Sequence, residues 1–332
     1  MKNGDNIRYL RRGEIDTTSW DRCVRESTNG LLYARSFFLD TLGDWDALVT
    51  PEYRYILPLP KKKKFGLPYA YIPPFVGQLG IIGPEPVDAA GVETFLRHIP
   101  GSFKLVDILL NEGNAAPVGA GLHLTASLRS QLTAPPGLQL TARTNYVLPL
   151  QADYSTLYQQ YSGDARKNLR RTRRAGLYAE QNISVEKVIE LYRAAYQEKA
   201  NFFSDRDYQQ IAVLCESCIA RGHGFTLGIK GPGNALHAAG FFGRDEKRIY
   251  YLLGAPGPDG RQFNAVHSLV DEVIRKYAGT ALSFDFEGSD IPSVAAFYRK
   301  FSPLTRVYHQ VKFHRLPRFL ERFFGSPASS PR

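Results

Sequence analysis

The chain has 332 residues, of which 43% are hydrophobic and 22% are charged. This balance is ordinary for a folded globular protein and excludes an intrinsically disordered one. A domain has roughly 100–200 residues, so the length allows two domains or one large fold. The three cysteines, Cys23, Cys215 and Cys218, exclude a secreted scaffold framed by disulfides and favour a reducing, cytoplasmic setting.

Basic residues outnumber acidic ones, and the formal net charge is +10. Two clusters, Lys61–Lys64 and Arg166–Arg174, are rich enough in lysine and arginine to account for this excess. A basic patch attracts phosphate groups, whether on a nucleotide cofactor, an RNA or a lipid headgroup. A solvated face without a dedicated ligand is the alternative interpretation.

Neither a secretory signal nor an integral membrane segment is expected. Residues 1–14 carry charges throughout and lack an apolar core. The longest run without charge, residues 65–84, contains Pro68, Pro73 and Pro74, which a membrane-spanning helix would not tolerate together. This run predicts buried strands and turns.

The first half of the chain alternates helical and strand-like patterns. Hydrophobic periodicity and breaker residues predict helices over 16–25, 31–42 and 88–98, and strands over 47–49, 53–58, 70–73, 78–82, 103–110 and 144–150. Between the last two strands, residues 111–136 predict a loop with one short element at 126–132.

The second half repeats this order. Helices are predicted over 153–161, 164–175, 184–199, from Ser204 onward, over 265–277 and over 292–301, with strands over 225–229, 235–242, 249–254, 282–286 and 306–313. The repeated order predicts an α/β (α+β) protein made of two duplicated domains, residues 1–150 and 151–325, followed by a flexible tail, 326–332.

Cys215 and Cys218 have CxxC spacing, but both lie on the apolar face of a predicted helix. No second CxxC and no clustered histidines accompany them, so we expect core packing and no metal site.

A strand–loop–helix junction is the best candidate for binding an anion. Gly257, Gly260, Arg261, Asn264 and Ala265 lead into the helix over 265–277, with Asn264 as its N-cap. The free backbone N–H groups and the positive end of the helix dipole attract phosphate there. An ordinary connection between strand and helix is the competing interpretation.

Three further side chains could take part in proton transfer. Asp285 and Glu287 alternate along a predicted strand and so share a face. Paired carboxylates can act as a base or bind an amine, or they can cap a helix or pair with basic residues. Tyr298, on the following helix, is a candidate proton donor or a core aromatic.

The order of these pieces resembles an acyltransferase of the GNAT superfamily. The matching stretches are Ile249–Ala255, the loop 257–264 with the helix that follows, and Ala295–Phe301. With the basic stretch 165–176 and the stretch 285–289, the whole chain is similar to the Fem-type branch. Proteins of this branch are tandem-GNAT proteins related to the aminoacyl transferases that build peptidoglycan cross-bridges.

The resemblance implies two GNAT-like domains, each a mixed, mostly antiparallel sheet flanked by helices, with the active site in the second and a degenerate first copy. It also implies that the phosphates of an acyl donor lie on Gly257, Gly260, Arg261, Asn264 and Ala265. An amine would then attack the thioester or ester of that donor where the central strands splay apart.

Two departures from the family pattern bear on the donor. After Arg261, the usual phosphate signature places Gly three residues on and Gly or Ala five residues on, but this chain has Asn264 and Val266. In the late helix, Fem-type aminoacyl transferases carry Lys after the first Phe, where this chain has Tyr298. A phenol suits a thiolate leaving group, so Tyr298 favours acyl-CoA over aminoacyl-tRNA.

The sequence therefore predicts an N-acyltransferase that moves an acyl group from acyl-CoA, a co-substrate, to an amine acceptor, with no tightly bound cofactor. Tyr298 is the expected general acid, Asp285 and Glu287 the acceptor site, and Arg166 and Arg170 ligands for an anionic part of the substrate. The alternatives are an aminoacyl-tRNA-dependent transferase acting on a peptidoglycan precursor and a non-catalytic anion-binding module.

Overall fold

The computed structural model describes residues 6–114, 139–196, 203–288 and 290–315. These residues form two compact units. The first comprises the chain up to Arg143 together with residues 307–315, and the second runs from Thr144 to Arg306. The predicted element at 126–132 and the tail 326–332 lie outside the described residues.

The first unit is built on a mixed sheet. Its strands are β1 (Arg8–Arg11), β2 (Trp45–Val49), β3 (Ile56–Lys64), β4 (Leu67–Ala70), β5 (Leu105–Leu109) and the larger part of β12 (Leu304–His314). They lie in the order β1-β2-β3-β4-β5-β12. Only β4 and β5 run parallel, and the other neighbours are antiparallel.

Each helix of the first unit buries an apolar face, and two of the three begin at an aspartate cap. They are α1 (Thr17–Glu26), α2 (Ser36–Leu42) and α3 (Ala89–His98). Asp16 caps α1 and Asp88 caps α3 through backbone N–H groups of the first turn. Trp20 of α1 packs against Trp45 of β2, with ring centroids 4.9 Å apart, and both are buried in the core.

Residues 78–82, predicted as a strand, form no strand in the structure; Ile82 makes a single bridge to Ile56. Side chains hold the backbone there instead. Asn111 Nδ2 donates to the Leu79 carbonyl at 2.7 Å, and the Ile81 N–H donates to Asn114 Oδ1 at 2.8 Å. The prediction was wrong because asparagine side chains, 30 or more residues away in sequence, replaced a neighbouring strand.

The second unit repeats the strand pattern of the first. Its strands are β6 (Gln139–Pro149, from Thr144 onward), β7 (Tyr178–Gln181), β8 (Gly224–Lys230), β9 (Leu236–Arg244), β10 (Arg248–Pro256) and β11 (Ser283–Asp285), in the order β6-β11-β10-β9-β8-β7. The β10–β11 pair is parallel and the others are antiparallel. A mixed, mostly antiparallel sheet flanked by helices is confirmed.

The helices of the second unit are α4 (Tyr154–Gln160), α5 (Gly163–Arg174), α6 (Val185–Tyr196), α7 (Asp205–Ala220), the single turn α8 (Gly260–Phe263), α9 (Ala265–Tyr277) and α10 (Pro292–Arg299). Ser204 and Asp207 form the predicted capping box of α7. Gly176 follows α5 with a φ of 71°, the left-handed conformation that ends a helix. No helix in the described residues is long and apolar enough to cross a membrane.

Cys215 and Cys218 are buried on α7, as the apolar face predicted. Burial raises the pKa of the Cys218 thiol to about 12. Both thiols therefore stay protonated near neutral pH and behave as small apolar side chains.

Candidate functional site

The central strands of the second unit separate at one end. β11 pairs with β10 over Arg248 to Tyr250, and β10 then continues to Pro256 along β9. Beyond Asp285 the chain leaves β10 but stays beside β6, with which β11 is also paired, and the Phe286 N–H donates to the Tyr146 carbonyl at 2.9 Å. The result is an opening along β10 from Tyr251 onward, with a bulge in β10 between Tyr251 and Leu253.

Tyr298 of α10 lies beside this opening. Its ring centroid is 6.4 Å from that of Tyr251 and 5.0 Å from that of Phe286. The side chain is only 9% exposed, and burial is the main reason that its pKa lies far above the ordinary value. Within the described residues, its hydroxyl has no hydrogen-bond partner. A neutral phenol with a free O–H group is thus held at the separation of the strands.

Two tyrosines of α6 border the same region. Tyr196 Oη donates to the Gly254 carbonyl of β10 at 3.3 Å, and the rings of Tyr192 and Tyr196 lie 4.9 Å apart. Both phenols contribute to the raised pKa of Tyr298. Aromatic side chains of α6, β10 and α10 therefore line the opening together. Tyr192 and Tyr196 were not identified as site residues from the sequence.

Glu287 follows β11 and reaches the same region. Its backbone has a φ of 70°, a conformation that costs a non-glycine residue of order 1–3 kcal/mol. Its charge also raises the pKa of Tyr298. The next residue, Gly288, has no room for a side chain, because a Cβ atom would lie 2.1 Å from the Thr144 carbonyl oxygen. The strained turn places a carboxylate near the Tyr298 phenol.

Asp285 has a different environment from Glu287. It is buried, and its Oδ2 accepts from Arg248 Nη1 at 2.7 Å and from Asn145 Nδ2 at 3.2 Å. Its Oδ1 accepts the Glu287 N–H at 2.9 Å. The two carboxylates, which were predicted to share a face and a role, thus differ in their contacts. Asp285 is paired with Arg248 and holds the backbone of Glu287, although the charges of both carboxylates raise the pKa of Tyr298.

The predicted anion site lies at the start of α9. Asn264 adopts φ 56° and ψ 36°, and its side chain caps no N–H group. It therefore precedes α9 as predicted but does not act as a side-chain cap. Among the described residues, the N–H groups of Ala265 and Val266 have no hydrogen-bond partner, as expected for the first turn of a helix. These two donors, with the helix dipole, can bind a phosphate.

The preceding glycines shape the loop instead of presenting free donors. The Gly257 N–H donates to the His237 carbonyl at 2.7 Å, and the Gly260 N–H to the Gly257 carbonyl at 2.9 Å. A Cβ atom on Gly257 would lie 2.2 Å from the Leu236 carbonyl oxygen, and one on Gly260 would lie 1.8 Å from that of His237. Both glycines allow the loop to pack directly on β9.

Arg261 joins the loop to α6. Its Nη2 donates to the Ala195 carbonyl at 3.3 Å, and its charge partly offsets the burial that raises the pKa of Tyr196. The side chain is exposed. Arg261 therefore lies close to both the start of α9 and the tyrosines beside the opening.

Helix α5 fixes the same junction from the other side. Thr172 Oγ1 donates to the Phe263 carbonyl at 3.0 Å, and Asn168 Nδ2 lies 3.3 Å from His267 Nε2. Burial and the nearby Lys300 lower the pKa of His267 to about 4, so the ring is neutral near pH 7.

A buried carboxylate one turn further along α9 anchors Arg173. Tyr154 Oη donates to the Asp271 carboxylate, 2.9 Å from each oxygen, and Arg173 Nη2 lies 3.4 Å from Asp271 Oδ2. One member of the basic run is therefore a structural contact. His267 and Asp271 were missed by sequence reasoning, although polar residues four apart within an apolar helix are a usable signal.

Arg166 and Arg170, predicted to bind an anionic part of the substrate, lie on α5. Arg166 is partly buried and its Nη1 donates to the Gln159 carbonyl at 3.1 Å, whereas Arg170 is exposed. The structure does not bring either residue to Tyr298 through any contact among the described residues.

The family comparison agrees with this geometry. Residues 161–292 match the family model described as "Acetyltransferase (GNAT) domain". The chain carries a GNAT-type acetyltransferase domain and is a transferase of the acyl-transfer class. No curated protein matches the sequence.

Solved structures extend the likeness to nearly the whole chain. The crystal structure of FemX is similar with a TM-score of 0.65 at 14% identity, covering 96% of this chain and 100% of that one. A conserved protein of unknown function from Bacteroides thetaiotaomicron gives 0.57 at 10% identity, covering 94% and 100%. The C-terminal domain of a protein named as a lysylphosphatidylglycerol synthetase from Agrobacterium fabrum gives 0.51 at 13%, covering 91% and 92%.

At these identities the structural likeness concerns the fold alone. The GNAT resemblance is confirmed over residues 161–292, and the likeness to FemX is one of fold.

Proposed function

We propose that this protein transfers an acyl group from acyl-CoA to an amine, and that the reaction takes place in the opening beside β10. The observation that carries the proposal is the Tyr298 phenol at the point where β10 and β11 separate. The residue is buried, and its hydroxyl has no hydrogen-bond partner in the described residues. The hydroxyl is therefore available to donate a hydrogen bond to a substrate.

The donor's phosphates are proposed to lie on the N–H groups of Ala265 and Val266, with Arg261 beside them. Gly257 and Gly260 support the site by letting the loop pack on β9. Asn264 supplies the left-handed backbone at the position where the usual signature has glycine. Asparagine is among the few other residues that adopt this conformation readily. The departure at Asn264 is therefore compatible with a phosphate loop.

In the proposed reaction, the amine nitrogen attacks the thioester carbonyl and the carbon–sulfur bond breaks. Tyr298 is proposed to donate its proton to the departing sulfur. Glu287 is proposed to accept the proton that the nitrogen loses and to return it to the Tyr298 oxygen, so that amine and thioester become amide and thiol. Burial raises the pKa of the phenol far above the ordinary value. This keeps the phenol protonated in the free protein, and it also makes Tyr298 a weaker acid than the ordinary phenol on which the sequence prediction rested. Asp285, already paired with Arg248, is proposed as a positioning residue that holds the Glu287 backbone.

The first unit is proposed to be a second GNAT-like copy without a donor site. Its strand order and its one parallel pair match those of the second unit. We place the boundary between the copies near Arg143, where the compact units meet along the chain.

A second candidate is transfer from aminoacyl-tRNA, with a peptidoglycan precursor as acceptor. It is favoured by the exposed cations of α5, which include Lys167, Arg170, Arg171 and Arg174. Such a face would bind RNA with an affinity that falls steeply as salt rises.

The test measures the thermal stability of the protein with coenzyme A, acetyl-CoA and bulk tRNA, followed by calorimetry with coenzyme A. A ligand at a hundred times its Kd adds about 2.7 kcal/mol. We expect stabilisation by coenzyme A. Asn264→Gly should keep the left-handed backbone and bind within about twofold of the original, whereas Asn264→Val should bind at least about tenfold more weakly, because valine resists that conformation.

Stabilisation by tRNA alone would support the second candidate. If neither the coenzyme A ligands nor tRNA stabilised the protein, both proposed transfer reactions would be contradicted. A non-catalytic anion-binding module would then be favoured. If the two Asn264 variants bound coenzyme A equally well, the phosphate site would be wrongly assigned, whereas the proposal of acyl-CoA as donor would stand.

A further inference from the structure

The hairpin formed by β3 and β4 in the first unit carries the other basic cluster. Lys61 pairs with Ala70, and the ladder continues to Lys64 and Leu67. Phe65 and Gly66 form the two-residue turn. Their φ values are 52° and 76°, the pattern of a type I′ turn.

Phe65 is an unfavourable residue for this turn in two respects. The first central position of a type I′ turn favours Asn, Asp or Gly, and a bulky side chain is strained at positive φ. The ring is also 76% exposed, so it gains little from burial. A strained residue that contributes little to the core points to a role outside folding.

The lysines next to the turn are exposed, whereas Lys61 is not. Lys61 Nζ lies 2.5 Å from the buried Asp46 carboxylate. Lys62, Lys63 and Lys64 are all exposed. Lys62 Nζ lies 4.5 Å from the centre of the Tyr71 ring. Three exposed cations thus precede an exposed aromatic ring at the end of a hairpin that is anchored at its base, and Lys64 lies over that ring.

We propose that this hairpin, residues 61–70, binds the surface of an anionic lipid bilayer. An exposed aromatic residue can enter the boundary between headgroups and acyl chains, while adjacent lysines bind anionic headgroups. The proposal uses surface features of the first unit and is independent of the reaction proposed for the second.

Nucleic acid is the competing partner for a basic, aromatic surface. Single strands bind by stacking their bases on aromatic rings. Here Lys64 Nζ lies 5.8 Å from the centre of the Phe65 ring, within cation–π distance. The tip also has leucine, Leu67, opposite Lys64, an apolar neighbour that suits a lipid interface better than a base.

The test is sedimentation of the full chain with vesicles of phosphatidylcholine alone, or of phosphatidylcholine with about one third phosphatidylglycerol. We expect binding to the anionic vesicles only, and weaker binding at high salt. Each lysine at an anionic surface contributes about 1 kcal/mol, or about fivefold. Lys63→Gln/Lys64→Gln should therefore weaken binding about 25-fold. Phe65→Asn, which suits the turn, should weaken it about tenfold or more while the protein stays folded.

Lys167→Gln/Arg171→Gln on α5 removes the same charge elsewhere and is expected to leave vesicle binding within about twofold. An equal loss in this variant would show that only net charge matters and would overturn the proposal. Unchanged binding by Phe65→Asn would also overturn it. So would an absence of vesicle binding, including the case in which tRNA binds and the hairpin variants lose that binding.

Discussion

The two units have the same strand order but differ at the end of the parallel strand pair. The second unit has an opening there, and the first has a network of hydrogen bonds. In each, one parallel strand pair is flanked by antiparallel neighbours. In the second unit, β10 runs six residues beyond its last pairing with β11, leaving an opening. In the first, β4 ends at Ala70, and residues 78–82 are held by buried asparagine side chains from before α2 and after β5.

The difference shows how two units of one architecture can differ at the same position. Asn111 and Asn114 follow β5, as Glu287 follows β11. In the first unit these residues satisfy backbone groups, and Gly80 allows the close approach, since a Cβ atom there would lie 2.3 Å from Asn114 Oδ1. In the second unit the corresponding region holds the Tyr298 hydroxyl and the Glu287 carboxylate, which we propose act on a substrate. The first unit thus has a hydrogen-bond network where the second has the proposed site.

The largest effect is expected from Asn111→Ala. The Asn111 side chain donates to two carbonyl groups and accepts the Gly113 N–H at 2.9 Å. Removing it leaves several buried polar groups unsatisfied, each costing about 1–3 kcal/mol. We expect the free energy of unfolding to fall by about 3–5 kcal/mol, measured by urea denaturation. The exposed control Gln209→Ala should change it by less than about 0.5 kcal/mol. A loss below about 1 kcal/mol would contradict the role assigned to the network.

Tyr298→Phe is expected to have the next largest effect, in the second unit. General acids contribute roughly 10²–10⁴-fold to rate, so we expect kcat to fall at least about a hundredfold while coenzyme A affinity stays unchanged. The measurement is steady-state acyl transfer with calorimetry of donor binding. Tyr69→Phe, on β4 of the first unit, is the matched control and should retain kcat. A Tyr298→Phe enzyme with full turnover would remove the proposed acid.

His267 should give the second unit a stability that depends on pH. Its folded pKa of about 4 lies below the ordinary 6.5, so the unfolded chain takes up the proton first as pH falls. Stability is therefore full above pH 6.5 and decreases by about 1.4 kcal/mol per pH unit between 6.5 and 4. In His267→Gln this decrease should be absent when denaturation is measured at pH 7 and pH 5. Identical pH dependence in both proteins would assign the effect to other groups.

The smallest effect concerns the hairpin turn of the first unit. Phe65→Asn replaces a strained residue by one that favours a type I′ turn. We expect the free energy of unfolding to rise by up to about 1 kcal/mol, measured by thermal denaturation without lipid. A destabilised Phe65→Asn protein would mean that the ring contributes to folding.

Local patterns were sufficient for much of the fold. The capping box at Ser204, the helix end at Gly176 and the apolar stripe of α9 depend on neighbours in sequence, and all were predicted correctly. The short edge strands β1 and β7, each four residues long, were missed because so few residues give no clear alternation.

The candidate site was only partly predictable, because its geometry depends on distant contacts. Tyr298 and Glu287 were singled out, and the structure places them in one region. Asp285 was grouped with Glu287, since the alternation of a strand does not reveal a partner 37 residues away, Arg248. The sequence located the anion site at the start of a helix. It could not show that the N–H groups of Ala265 and Val266 are free while those of Gly257 and Gly260 are already hydrogen-bonded.

The pairing of β12 has a consequence for the order in which the protein folds. β12 lies beside β5 in the first unit, with Gln310 opposite Leu109 and His314 opposite Leu105. A ribosome must therefore synthesise almost the entire second unit before the sheet of the first can be completed. A fragment that ends near residue 150 would emerge with the edge of β5 uncovered, a ready template for pairing with other chains. Because β12 pairs with β5 so late, we expect such fragments to aggregate and to depend on chaperones.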